Sequence, residues 1–195
     1  ADRLAAATPS PAGSPALEAT RAATLVAGPL LEPCTPGQRS LWHTEQLNEQ
    51  RAPVYNVAVE VELDRPVDPA ALRTALAQIV QRHEPLRTGF VERDGIPLQR
   101  ITPDVTVDLR VGSLPEADEW ERMAAEAVND LAREPFTLDA PSLARFLLLN
   151  GRDRARFALS VHHLVFDGWS AGVLVRELAE CYSAIVGGRA PQLTP

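Results

Sequence analysis

Apolar positions along the chain recur with two distinct periods, and the changes of period fall at residues that favour caps and turns. Tyr55, Val57, Val59, Val61 and Leu63 alternate with Asn56, Ala58, Glu60 and Glu62. Successive strand side chains point to opposite faces, so this alternation predicts a half-buried strand. Asp68-Pro69 predicts a helix start, a capping side chain followed by a ring already set for the first turn. Leu72, Ala75, Leu76, Ile79 and Val80 then share one helical stripe. An earlier helix is predicted over roughly 36–49, starting near Thr35-Pro36, with Leu41 and Trp42 apolar and Gln38 and Ser40 polar.

Residues 86–93 and 96–101 flank Asp94-Gly95, a pair suited to a type I′ hairpin turn. A strand is predicted over about 105–111 (VTVDLRV), then a long helix opened by Ser113 and Pro115. That helix carries Trp120, Met123, Ala127, Val128 and Leu131. LARFLLL and RARFALSV surround Asn150-Gly151, which predicts a second hairpin with well-buried strands. Ser170 is expected to cap the last helix, with Leu174, Leu178, Cys181, Tyr182 and Ile185 inward and Gly187-Gly188 as its stop. Hairpins mixed with covering helices make the class α+β, a largely antiparallel sheet under helices. The repeating strand–helix units and Gly-rich phosphate loop of a dinucleotide binder are missing.

Composition narrows the field. The chain has 195 residues, 45% hydrophobic and 23% charged, within the range of an ordinary globular protein. No apolar run approaches the roughly 20 residues of a membrane span, so no membrane role is expected. A net charge of −7 is a poor match to a phosphate backbone, so nucleic acid is not expected as a partner. All 19 basic residues are Arg, which with abundant Ala and Pro reads as base-composition bias rather than a basic patch. Cys34 and Cys181 are far apart and lack metal or redox spacing, so a reduced, cytoplasmic setting is the default. Residues 1–30 are rich in Ala, Pro and Ser and are expected to be a flexible leader, with the folded unit over 31–195.

The chemistry concentrates in SVHHLVFDGWS, Ser160 to Ser170. A strand ends there in His162 and His163, and alternation forbids both from facing one substrate. One should pack inside and the other face a cleft, a natural place for a general base. Asp167 can fold back on that site, and Gly168 permits an unusual turn. A metal held by His163 and Asp167 lacks further ligands at suitable spacing. His43 reads as surface, His83 as a supporting helix end, Trp42 and Trp169 as core aromatics, and EADEWER (Glu116 to Arg122) as a solvated helix face.

HHLVFDG resembles the HHxxxDG motif of condensation domains of non-ribosomal peptide synthetases. TPGQRSLWHTEQLN (Thr35 to Asn48) is similar to that family's first motif through Gln38, Arg39, Leu41 and Trp42. RHEPLRTGF (Arg82 to Phe90) is similar to its second through Arg82, His83, Glu84, Leu86, Arg87, Thr88 and Phe90. HHxxxDG alone is shared with acyltransferases of the chloramphenicol-acetyltransferase type, but three ordered motifs over residues 35 to 170 favour condensation domains. Epimerisation domains read DGVSWR where this chain has Asp167-Gly168-Trp169-Ser170-Ala171-Gly172. Heterocyclisation domains replace both histidines by aspartates, and inactive recruiting variants carry an arginine where His163 stands. The resemblance therefore points to a condensation-competent member.

The resemblance implies a chloramphenicol-acetyltransferase-like lobe, the N-terminal half of a two-lobed domain. GRAPQLTP (Gly188 to Pro195) looks like the loop leading into the second lobe. Implied partners are upstream and downstream peptidyl carrier domains, the C-terminal lobe and adjacent synthetase domains. No cofactor is bound directly; the substrates ride on the phosphopantetheine arms of the carriers. An acceptor amine attacks a donor thioester, with His163 as the catalytic residue, either general base or positioning group. His162 packs structurally. Asp167 is expected to pair with an arginine, Arg87, Arg82 or one from the other lobe, while Gly168 keeps the turn open. The chain alone is expected to be inactive. Two other readings are a docking or scaffold module, which the nearly uncharged leader disfavours, and a stand-alone coenzyme A-dependent acyltransferase, which the first two motifs disfavour.

Overall fold

The computed structural model describes residues 28–48, 52–114 and 119–194. The expected leader lies outside these up to residue 27, and so do Pro115, Glu116, Ala117 and Asp118. The strands are β1 (Leu30–Pro33), β2 (Asn56–Leu63), β3 (Thr88–Arg93), β4 (Ile96–Ile101), β5 (Leu109–Ser113), β6 (Ala144–Asn150) and β7 (Ala155–His162). The helices are α1 (Pro36–Gln46), α2 (Pro69–Arg82), α3 (Trp120–Arg133) and α4 (Gly168–Val186), with a short 3-10 turn over Glu84–Arg87.

Two sheets form. One has the order β1-β4-β3, antiparallel throughout; the other has the order β2-β7-β6-β5. In the second sheet β5 runs parallel to β6, and the other pairs are antiparallel. The α+β class with a largely antiparallel sheet therefore stands. Asp94 and Gly95 adopt φ of 52° and 77°, the left-handed pair that a type I′ turn between β3 and β4 requires. Asp68 caps α2 by accepting from the Ala70 and Ala71 N–H groups.

The second sheet is covered on both faces. Leu72, Leu76 and Ile79 of α2 and Leu174, Leu178 and Cys181 of α4 pack with Phe146, Leu148, Leu159 and Val161. Trp120, Ala124 and Leu131 of α3 pack with Leu147, Leu149 and Ala158, the alternate side chains of the same strands. Double coverage explains why β6 and β7 read as continuous apolar runs while β2 alternates. Each Leu so buried is worth about 1.5–3 kcal/mol, so these two layers dominate the stability of the unit. Within β7, Ser160, His162 and Arg156 are polar yet buried, and the charged one, Arg156, is surrounded by Glu60, Glu62 and Glu121. A third cluster, Cys34, Trp42, Phe90, Leu143 and Leu164, joins α1 and β3 to the segment after β7.

Three boundaries differ from the sequence expectation. The strand expected over 105–111 forms at 109–113, because Leu109 to Ser113 pair in register with Phe146 to Asn150. Ser113 thus ends a strand rather than opening a helix. The second hairpin is wider than a two-residue turn: Asn150 pairs with Ala155, and Gly151 N–H donates to the Arg154 carbonyl at 2.9 Å. The Asn150 side chain leaves the turn and bonds both the N–H and the C=O of Val67, at 3.0 and 2.8 Å.

Gly89 sits in β3 where Phe90 N–H donates to the Leu138 carbonyl at 2.7 Å. A Cβ on Gly89 would overlap the Ala140 carbonyl oxygen and lie 3.1 Å from its carbon. Backbone on one side and a paired strand on the other leave no flexible atom to yield. Gly89→Ala is expected to cost about 1–3 kcal/mol, as overpacking does. Thermal or denaturant melting checks this, and wild-type stability would refute the close approach.

Candidate active site

Strand β7 delivers both histidines, and its hydrogen bonds set their directions. His162 N–H donates to the Leu143 carbonyl at 3.0 Å, and His163 N–H to the Tyr55 carbonyl at 2.8 Å. Val165 N–H then returns to the His162 carbonyl at 3.1 Å and closes a turn. The inward half of the expected division holds, with His162 buried at 3% exposure, while His163 is exposed and does not line the cavity beside His162.

The His162 ring is fixed from several sides. Its Nδ1 lies 3.1 Å from Leu164 N–H and accepts from it. A neutral imidazole with an accepting Nδ1 carries its proton on Nε2. That atom lies 3.6 Å from Glu45 Oε1, an ion-pair distance too long for a hydrogen bond. Phe136 stands edge-on to the ring at 6.2 Å between centroids. Burial, followed by the neighbouring His163, pushes the His162 pKa down from 6.5 to about 4, so the ring is neutral at pH 7. A cavity of about 570 Å³ opens beside it, lined among others by Trp42, Glu45, Phe90, Phe136 and Asp139.

His163 has the complementary arrangement. Its Nδ1 lies 2.6 Å from the Phe166 carbonyl oxygen. A carbonyl only accepts, so Nδ1 carries a proton, which in the neutral tautomer leaves the lone pair on Nε2. A proton acceptor held by a backbone carbonyl on an exposed ring is what base or hydrogen-bond assistance to an amine requires.

Asp167 departs from expectation. It is the cap of α4, with Oδ1 accepting from Ser170 N–H at 2.8 Å and from the Ser170 hydroxyl at 2.7 Å. Ser170, expected as the cap, is the third residue of the helix. The Ser170 hydroxyl first, then its N–H, hold the Asp167 carboxyl below the ordinary aspartate range. Among the described residues Asp167 makes no ion pair, and the two expected arginines are engaged elsewhere. Arg87 bonds Glu84 and the Thr102 carbonyl, at 3.3 and 3.2 Å. Arg82 pairs with the buried Glu177 at 3.2 Å and also reaches the Thr194 carbonyl. The orphan N–H groups of the helix start lie closest to Asp167 and take its carboxylate.

Gly168 begins α4 without a positive φ, and a Cβ there would meet nothing within 4 Å. The space beside it is open, but the turn does not demand glycine. His83 caps the end of α2 and bonds Glu177 Oε2 at 2.7 Å, in keeping with a supporting helix end. Trp42 is buried as expected, whereas Trp169 is 82% exposed. Of the expected solvated face, Trp120 is buried. Glu45, Glu177 and Gln99 had no place in the sequence reading. Glu45 was detectable, since Gln38, Trp42 and Glu45 are spaced i, i+4, i+7 and so share one face of α1.

A family model described as Condensation domain matches residues 32–195. The chain belongs to the condensation-domain family. The isonitrile lipopeptide synthase of Mycobacterium tuberculosis is 36% identical over 169 residues, 86% of this chain and 7% of that protein. Phosphinothricin tripeptide synthetase PhsC of Streptomyces viridochromogenes is 40% identical over 167 residues, 84% of this chain and 15% of that protein. The chain therefore spans a small part of the curated relatives it matches. Among solved structures, the first condensation domain of the calcium-dependent antibiotic synthetase, in complex with a substrate analogue, matches with a TM-score of 0.78 at 29% identity. The match covers 85% of this chain and 40% of that one. The starter condensation domain of the rhizomide synthetase RzmA gives the same TM-score at 23% identity, a likeness of fold. No helix among the described residues is long and apolar enough to cross a membrane.

Two outcomes follow from this geometry. Asp167→Ala is expected to lower the melting temperature, and Asp167→Asn to restore most of it, because asparagine caps a helix but cannot form an ion pair. A loss in Asp167→Asn equal to that in Asp167→Ala would contradict the capping role. His162 binds its proton at higher pH when unfolded, so its contribution to stability is complete above pH 6.5 and is lost as pH falls toward 4. Melting curves across pH 7 to 4 should show that loss, and His162→Asn, which offers an acceptor near the Nδ1 position without a titrating ring, should reduce it.

Proposed function

We propose that the chain from β1 onward, Leu30 included, forms the N-terminal lobe of a peptide-bond-forming condensation domain, so that the expected leader ends before Leu30. In this reading the donor is an acyl or peptidyl thioester and the acceptor an aminoacyl thioester, each on the phosphopantetheine arm of a carrier domain. The acceptor α-amine attacks the donor carbonyl carbon, the new C–N bond forms, and the carrier thiolate leaves. The amine must lose a proton on the way, and the tetrahedral oxyanion needs donors nearby.

The observation that supports this most is the His163 ring, exposed, with Nδ1 held by the Phe166 carbonyl and Nε2 free to accept. His163 then acts on the attacking amine, as base or as the acceptor that aims its lone pair. His162 supports it from inside the sheet and Asp167 from the α4 cap. Gly168 leaves room beside the cap. Arg82 ties the α2 end to α4 through Glu177, and Arg87 ties the 3-10 turn to the Thr102 carbonyl. The partners in this reading are upstream and downstream carrier domains, a second lobe and neighbouring synthetase domains, in the cytoplasm. One lobe supplies one wall of a channel that must exclude water, so the chain alone is expected not to turn over.

In the complete domain, His163→Ala should cut condensation between loaded carriers by about 10²–10⁴-fold, the usual worth of acid–base assistance. The melting temperature should stay near that of the parent, because an exposed ring holds up little packing. Condensation within a few-fold of the parent would remove His163 from the chemistry.

A further inference from the structure

The turn that carries His163 receives a side-chain hydrogen bond from helix α1. Gln38 is the third residue of α1, and its Oε1 accepts from Thr35 N–H at 3.0 Å while Thr35 Oγ1 accepts from Gln38 N–H at 3.2 Å. This reciprocal pair is a capping box. The amide nitrogen, Nε2, faces the other way and donates to the Leu164 carbonyl at 3.2 Å and to Gln99 Oε1 at 3.1 Å. Thr35 N–H can only donate and the Leu164 carbonyl can only accept, so the partners themselves fix which end of the amide is which. Gln99, on β4, donates in turn to the Pro33 carbonyl of β1 at 3.0 Å. One loop carbonyl is thereby tied to a helix start and to the three-stranded sheet.

We infer that Gln38 is a positioning residue for His163, acting through the Leu164 carbonyl it grips. Leu164 directly follows His163, and the same turn supplies the Phe166 carbonyl that holds His163 Nδ1. The Leu164 N–H is engaged by His162, so with Gln38 on its C=O this residue is fixed on both sides. Glu45, two turns along the same helix, faces the His162 ring. Helix α1 therefore bonds the turn through Gln38 and lies alongside the buried histidine through Glu45. With the Leu164 carbonyl released, the Phe166 carbonyl can drift, and the His163 ring loses the bond that sets its direction. A misplacement near 1 Å can cost a reaction about 10²-fold.

Gln38 also caps a helix, and one substitution separates the two roles. In Gln38→Glu the carboxylate keeps accepting from Thr35 N–H, so the capping box survives. It cannot donate, so the Leu164 and Gln99 contacts are lost. Gln38→Met fills the same length with neither function and carries no charge. The effect on turnover presupposes the condensation reading above, so the experiment has a second arm that does not.

In the complete domain, both variants should lower kcat by about 10-fold or more with carrier KM unchanged, the signature of a displaced catalytic group rather than lost binding. Gln38→Glu should melt no lower than Gln38→Met. The second arm is the proton resonance of His163 Nδ1–H, assigned by its disappearance in His163→Ala. It should shift or vanish in both variants. Wild-type kcat with an unmoved resonance in Gln38→Glu would overturn the inference and leave only a cap. Should Gln38→Glu fail to fold, Gln38→Met decides by the same criteria. A parent domain that condenses nothing would refute the functional reading, while the resonance would still decide whether Gln38 orients the ring.

Discussion

Strand β7 has a hydrogen-bonded neighbour along each edge and helices over both faces, which leaves its eight residues no freedom to slide. A shift of one residue would exchange the two faces of the strand. It would also bring His163 into the interior and push His162 out. The register that buries Leu159 and Val161 under α2 and α4 is therefore the register that presents one imidazole outward and keeps the other neutral inside. Core packing and site geometry are a single constraint.

The remaining parts of the site attach to that fixed strand end by backbone contacts. Phe166 offers its carbonyl to one histidine and Leu164 its N–H to the other. Asp167 stops the turn by capping α4. The bonds that shape the turn thus come from the main chain, the two histidines, the Asp167 cap and Gln38, and none comes from the exposed Trp169 side chain.

Much of this was legible from residue order. Period-2 alternation placed β2, Asp68-Pro69 started α2, and Asp94-Gly95 made its hairpin, since each depends on local stereochemistry. The tandem histidines could be divided into an inward and an outward partner from strand geometry alone. What failed depended on distance in space. The run VTVDLRV suits a strand anywhere along its length, and only Phe146 to Asn150, over thirty residues away, selects Leu109 to Ser113. Asp167 and Ser170 are both good caps three positions apart, and the loop geometry decides between them. The arginine partners could not be read at all, because Glu177, the buried acceptor for Arg82, looks like any other helical glutamate. Trp169 shows the limit of treating every tryptophan as core, since it stands on the first turn of a helix whose inward stripe begins later.

The Asn150-Gly151 junction has a chemical side that its role as a hairpin end conceals. Asparagine followed by glycine is the dipeptide most open to spontaneous succinimide closure, in which the glycine nitrogen attacks the asparagine side-chain carbonyl and ammonia departs. Here that carbonyl accepts from Val67 N–H, and the Gly151 nitrogen is committed to the Arg154 carbonyl. With the Asn150 amide anchored at both its ends to Val67 and the Gly151 N–H bonded to the Arg154 carbonyl, the rotation that would bring the nitrogen onto the side-chain carbon is opposed. The same contacts that tie the approach to α2 onto the sheet thus protect the chain from ageing at this bond, and the protection lasts as long as the hairpin stays folded.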